Sequence, residues 1–83
     1  MNNFNAENVG KRIREKRKEY GLSREKLGNL IGGITKQHIY RIEKGKQIMS
    51  AEILCKISIV LNVSADWLLF GDKEKSPPVK DIT

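Results

Sequence analysis

Five times along this chain a polar residue has an apolar residue before it and another four positions after it. Phe4-Asn5 is answered by Val9, Leu22-Ser23 by Leu27, Ile34-Thr35 by Ile39, Met49-Ser50 by Leu54, and Val63-Ser64 by Leu68. Asparagine, serine and threonine at such points accept the orphan N–H groups of a helix's first turn, and the flanking apolar pair packs across the cap as a staple. A single instance carries little weight. Five in order predict about five helices and leave little chain for anything else.

The stops agree with the starts. Gly21, Gly32-Gly33, Gly45, Asn62 and Gly71 each follow the last residue of a helical pattern, and these residue types tolerate the left-handed backbone that ends helices. The predicted helices are therefore 6–20, 24–31, 36–44, 51–61 and 65–70. Their apolar residues recur at helical spacing: Val9, Ile13 and Tyr20; Leu27, Leu30 and Ile31; Ile39 and Ile42; Ile53, Leu54, Ile57 and Leu61. No segment has a convincing strand pattern, so the fold class is all-α. The domain is expected over 1–71. Beyond it, 72–83 holds Lys73, Lys75 and Lys80 among acids, and Pro77-Pro78, which opposes helix; it reads as a flexible tail with no ordered role for these lysines.

Charge narrows the partners. At 83 residues and a net +6, this is one small basic domain, suited to a polyanion: nucleic acid or an anionic membrane surface. No apolar run approaches the roughly 20 residues of a membrane span, and the N-terminus lacks a signal-peptide stretch, so the expected location is the cytoplasm. The single Cys55 fits a reducing compartment, and reads as a partly buried, inert thiol. With one histidine, one cysteine and no zinc spacing, neither an enzyme, a metal site nor a cofactor is expected.

The second and third predicted helices are short and joined by a tight glycine-containing turn, the arrangement of a DNA-binding helix-turn-helix. Leu27 and Ile31 would meet Ile39 and Ile42, freeing a face that carries Lys36, Gln37, Tyr40, Arg41 and Lys44. Lysine and arginine donate to guanine O6 and N7, and glutamine both donates to and accepts from adenine. The N–H groups near Thr35 lie at a positive helix end, suited to phosphate or base edges. Tyr40 reads equally as a phosphate contact or as packing, and His38 as a surface histidine or a DNA contact.

The first helix carries a basic run, Lys11, Arg12, Arg14, Lys16, Arg17 and Lys18, which alone reads as a solvated face. Arg17 differs, because it continues the apolar stripe, so its stem packs inward and its head needs a partner. Glu43 is the natural one. It sits at a helix C-terminus, where the macrodipole disfavours an acid, and a bidentate pair would join the first helix to the third.

Over residues 9–71 the chain resembles the Cro and phage-repressor type of helix-turn-helix, also called the xenobiotic-response-element family. The matching segments are Val9-Gly10-Lys11-Arg12-Ile13-Arg14, Gly21-Leu22-Ser23, Ile39-Tyr40-Arg41-Ile42-Glu43-Lys44-Gly45-Lys46, and the run from Leu61 through Asp66-Trp67-Leu68 to Gly71. Their order and spacing together are specific. The resemblance implies a compact five-helix, lambda-repressor-like DNA-binding domain whose third helix reads the major groove. It implies base contacts from Lys36, Gln37 and Arg41, and phosphate contacts from Ser23, Arg24, Lys44, Gly45 and Lys46; Thr35 and Tyr40 join these as phosphate candidates. It also supports the Arg17–Glu43 pair, and it implies a homodimer on a pseudo-palindromic operator with half-sites about 34–36 Å apart.

Four residues depart from the family pattern. Arg24 stands where many members have a backbone-touching glutamine. Gly28 replaces the usual alanine, loosening the second helix by about 1 kcal/mol. The turn Gly32-Gly33-Ile34-Thr35 is one residue longer than the common form, which allows the register of Lys36 and Gln37 to shift by one. Met49 replaces a frequent proline, so the start of the fourth helix is less rigid. The expected function is a sequence-specific transcriptional regulator, a repressor by type. The alternative is an antitoxin or other protein-interaction module of the same fold, using the tail after Gly71 and an exposed apolar patch near Trp67; Trp67 otherwise serves as core or dimer contact.

Overall fold

All five predicted caps are in place. A computed structural model describes residues 5–71, and in it Asn5, Ser23, Thr35, Ser50 and Ser64 are in extended conformation with side chains accepting first-turn N–H groups. They open α1 (Ala6–Glu19), α2 (Arg24–Ile31), α3 (Lys36–Glu43), α4 (Ala51–Leu61) and α5 (Ala65–Phe70). Among the described residues there is no strand. Two predicted ends retreat by one residue, because Tyr20 and Lys44 are the C-caps of α1 and α3. The chain then turns through Gly21 and Gly45 at φ 69° and 74°, and the N–H groups of Leu22 and Lys46 close back on the carbonyls of Arg17 and Arg41. Leu22, Ile34, Met49 and Val63 pack against the core as staples should. Phe4, and the expected tail at 72–83 with its lysines and prolines, lie outside the described residues.

The core is aliphatic. Val9 and Ile13 of α1, Leu27 and Ile31 of α2, Ile39 and Ile42 of α3, Ile57 and Leu61 of α4, and Leu68 of α5 are buried together. α1 packs on α3, α4 and α5, while α2 packs on α3 and α4. Three expected positions are corrected. Tyr20 and Leu30 are exposed, as is Cys55, which points away from the core. Cys55 lies about 200° round the helix from Ile57, so the thiol cannot share that buried stripe.

A buried ion pair joins α1 to α3. Arg17 Nε donates to Glu43 Oε2 at 2.7 Å and its Nη2 to Oε1 at 3.2 Å, while Nη1 donates to the Leu22 carbonyl at 2.8 Å. One guanidinium thus ties together α1, the turn after it and the last residue of α3.

Two glycines let backbones touch. A Cβ on Gly10 would overlap the Ile42 and Glu43 carbonyls, so α1 and α3 meet backbone to backbone. A Cβ on Gly28 would collide with the Ile34 carbonyl. Gly28 is therefore a steric requirement, which corrects the expectation that it merely loosens α2. Its own carbonyl accepts from both Gly32 and Ile34, so the turn closes six residues back, where the turns after α1, α3 and α4 close five back. The extra residue is absorbed by Gly32 and Gly33, at φ 125° and 80°. α3 starts directly after its Thr35 cap, with Lys36 and Gln37 as its first two residues.

Glu43→Ala leaves the Arg17 guanidinium buried without its carboxylate and is expected to cost about 3–5 kcal/mol in urea unfolding. A loss under about 1 kcal/mol, the range of exposed pairs, would show the pair to be dispensable. For Gly28→Ala, helix propensity alone promises a gain of about 1 kcal/mol. The collision with Ile34 should turn this into a loss of about 1–3 kcal/mol. Deleting Gly33 in the same chain should recover stability by withdrawing the carbonyl. A stabilised single variant would mean that the turn yields.

Candidate nucleic-acid interface

The outer side of α3 is built by subtraction. Ile39 and Ile42 face the core and Glu43 faces Arg17, which leaves Lys36, Gln37, Tyr40, Arg41 and Lys44 exposed. Helical spacing sorts these into two rows. Gln37 and Arg41 stand one turn apart on one row, and Lys36, Tyr40 and Lys44 follow each other on the next.

The helix starts suit an anion. Thr35 Oγ1 accepts from the His38 amide at 3.1 Å, and Ser23 Oγ from the Lys26 amide at 3.0 Å. A hydroxyl that accepts in this way keeps its own O–H to donate. Among the described residues the amides of Lys36 and Gln37 have no partner, as expected at a helix N-terminus. At the other end of α3, the loop supplies the Lys44 and Lys46 side chains. Gly45 supplies conformation instead: its only N–H donates to the Ile42 carbonyl at 3.0 Å, and a Cβ there would press on Glu7 at 2.8 Å. What Gly45 adds to this loop is therefore its conformation, with its N–H engaged within the chain.

Arg24 has partners inside the chain. Its Nε donates to Glu43 Oε1 at 3.0 Å, and its guanidinium lies 5.1 Å from the centre of the Tyr40 ring. His38, half-buried, meets Gln47 at 3.2 Å through Nε2, which ties it to the loop after α3.

The basic run of α1 divides by partner. Arg12 Nη1 donates to the Leu68 carbonyl at 2.8 Å, Lys16 pairs with Glu19 and lies over Trp67, and Arg17 is taken by Glu43. Lys11 and Arg14 remain exposed and line a cleft of about 410 Å³ with Glu7, Arg24, Tyr40 and Lys44. Sequence reasoning did not single them out. Their signal was the spacing from Glu7, which sets 7, 11 and 14 on one side of α1. Glu25 and Asn29 of α2, which the sequence reading did not single out, flank Lys36 and Gln37 in another cleft.

Comparison with known proteins agrees with this arrangement. Residues 13–68 match the family model described as helix-turn-helix. An HTH-type transcriptional regulator of Sinorhizobium medicae is 48% identical over 59 residues, covering 71% of this chain; the match spans only 42% of that relative's length. Another, from Archaeoglobus fulgidus, is 38% identical over 64 residues, 76% of this chain and 90% of the relative. The P22 c2 repressor, solved in complex with a synthetic operator, superposes with a TM-score of 0.74 at 33% identity, covering 77% of this chain and 96% of that one. The chain belongs to the helix-turn-helix family, of the Cro and phage-repressor type.

Proposed function

We propose that this chain is a sequence-specific, double-stranded DNA-binding transcriptional regulator, a repressor by type, that reads the major groove with α3. The observation that carries this reading is the Gln37–Arg41 row. It is exposed, one turn long, and no described element covers it. Gln37 and Arg41, with Lys36 at the head of the helix, are the base contacts. Ser23, Thr35, Lys44 and Lys46 supply phosphate contacts around them, together with Arg24. The P22 c2 repressor's operator complex supports the same use of the fold.

The active form is a homodimer on a pseudo-palindromic operator. Ile48, in the loop after α3, is 73% exposed and rims a small apolar cleft of about 50 Å³ formed by Val9, Met49, Leu54 and Leu69. A second copy is the occupant this reading assigns to that patch. The protein acts in the cytoplasm, without cofactor or metal and without enzymatic turnover; among the described residues no helix is long and apolar enough to cross a membrane. The alternative partner surface near Trp67 has less to offer, since that ring is half-buried and Lys16 lies 5.5 Å from its centre.

Selection of bound duplexes from a random pool is expected to return one sequence with two-fold symmetry. A pool with no common sequence would defeat the reading. On the selected duplex, binding should weaken steeply with salt, by about 0.9 in log–log slope per phosphate neutralised. Gln37→Ala should relax preference at one position per half-site by about 1–3 kcal/mol, whereas Lys46→Ala should weaken all duplexes alike and lower the slope by about 1. Unchanged preference and affinity in both variants would overturn the site assignment. Ile48→Glu should abolish self-association and leave half-site binding intact; a dimer that survives it uses another surface.

A further inference from the structure

Two cations share one aromatic ring beside the recognition helix. The Arg24 guanidinium lies 5.1 Å and the Lys44 ammonium 5.6 Å from the centre of the Tyr40 ring. Both distances fall within the range in which the electron-rich face of a ring attracts a cation. Arg24 is fixed a second time, by the 3.0 Å bond from its Nε to Glu43 Oε1. Glu43 also holds Arg17, so the three charged groups together keep a net positive charge. Lys44 makes no ion pair among the described residues. Lys11 and Arg14 face the same cleft from α1.

We infer that Tyr40 is a positioning residue: its ring holds Arg24 and Lys44 as a preset pair that clasps the DNA backbone beside α3, and its hydroxyl is not the ligand. The inference rests on the reading of the chain as a duplex-binding regulator. Two like charges no farther apart than the sum of their ring distances repel each other. Without the ring Lys44 is free to swing into solvent and Arg24 keeps only its Nε bond to Glu43; a phosphate diester between the two cations relieves the repulsion. A free arginine side chain has much rotamer freedom to lose when it is held on a phosphate. The ring and the Glu43 carboxylate impose that loss before DNA arrives, so less is lost on binding. Arg24 and Tyr40 thus form one device, in which the guanidinium brings charge and the ring makes it usable.

The test is a set of variants titrated with the selected duplex over a range of salt. Tyr40 is exposed, so Tyr40→Leu should keep the fold, and Tyr40→Phe, which preserves the ring, serves as the rescue. Tyr40→Leu is expected to weaken binding about five- to tenfold. Its salt slope should be unchanged, because both cations still displace counterions. Tyr40→Phe should stay within about twofold of the parent. In a chain already carrying Arg24→Gln and Lys44→Gln, Tyr40→Leu should cost almost nothing more, since coupled residues are not additive. In the free protein, ring-current shifts of the Arg24 δ and Lys44 ε methylene protons should be present in the parent and in Tyr40→Phe, and absent in Tyr40→Leu. A Tyr40→Phe loss equal to that of Tyr40→Leu would make the hydroxyl the ligand and overturn the inference. So would an undiminished Tyr40→Leu loss in the doubly neutralised chain, or the absence of ring-current shifts from the parent. If the parent chain binds no duplex, the regulator reading falls and the clasp with it; a failed cycle in a binding-competent protein removes the clasp alone.

Discussion

The Arg17–Glu43 pair sets the pose of α3. Glu43 is the last residue of α3, where the helix dipole makes a carboxylate unwelcome, and its side chain is only 1% exposed. Such a group persists only with donors aimed at it. Arg17 supplies two bonds from α1 and Arg24 one from α2, so three helices converge on a single carboxylate. The third Arg17 bond, to the Leu22 carbonyl, adds the turn that positions Ser23 and Arg24. A buried pair of this kind contributes modest net stability. Its contribution here is orientation, because one carboxylate answers donors from two other helices.

The electrostatic bolt at the end of α3 has a steric counterpart at its start. There the Ile34 carbonyl rests on Gly28 of α2, and near the other end Gly10 of α1 lies against the Ile42 and Glu43 carbonyls. Held at both ends, α3 has little freedom to roll, and the Gln37–Arg41 row faces one direction. The same economy governs charge. Of the six basic residues between Lys11 and Lys18, Arg12, Lys16 and Arg17 have intramolecular partners. Of the other three, Lys11 and Arg14 stand beside the α3 cleft and Lys18 is exposed.

What was legible in the sequence is what is local. A cap and its staple lie within five residues, so Ser23 and Thr35 announced their helices without any knowledge of the fold. Glu43 and Arg17 were legible for a different reason: each broke a local rule, an acid at a helix C-terminus and a cation in an apolar stripe, and two such violations call for each other. The misreadings are tertiary. Tyr20 and Leu30 have helical spacing, yet a helix buries only the sector that a neighbour covers, and α2 is only eight residues long. Arg24 gave no sign that it would share Glu43, because a serine-capped first turn tolerates arginine in solvent equally well. Gly10 and Gly28 left no signal, since a glycine placed for close approach has the same letter as one placed for a bend.

The long turn and Gly28 are best understood as one change rather than two. A residue inserted between two packed helices must either slide the second helix along the first or bulge outward. Sliding would separate Glu43 from Arg17 by a helical rise of about 1.5 Å per residue, more than a 2.7 Å bond can absorb. The bulge therefore wins, and two consecutive glycines at positive φ make it. A bulge at this point folds the Ile34 carbonyl back over α2, and only a residue without a Cβ leaves room for it. The bare Gly28 and the long turn thus fit together with an ion pair eight residues beyond Thr35. Lys36, Gln37 and Arg41 are counted between the Thr35 cap and the Glu43 anchor, so those two residues set their places on the helix.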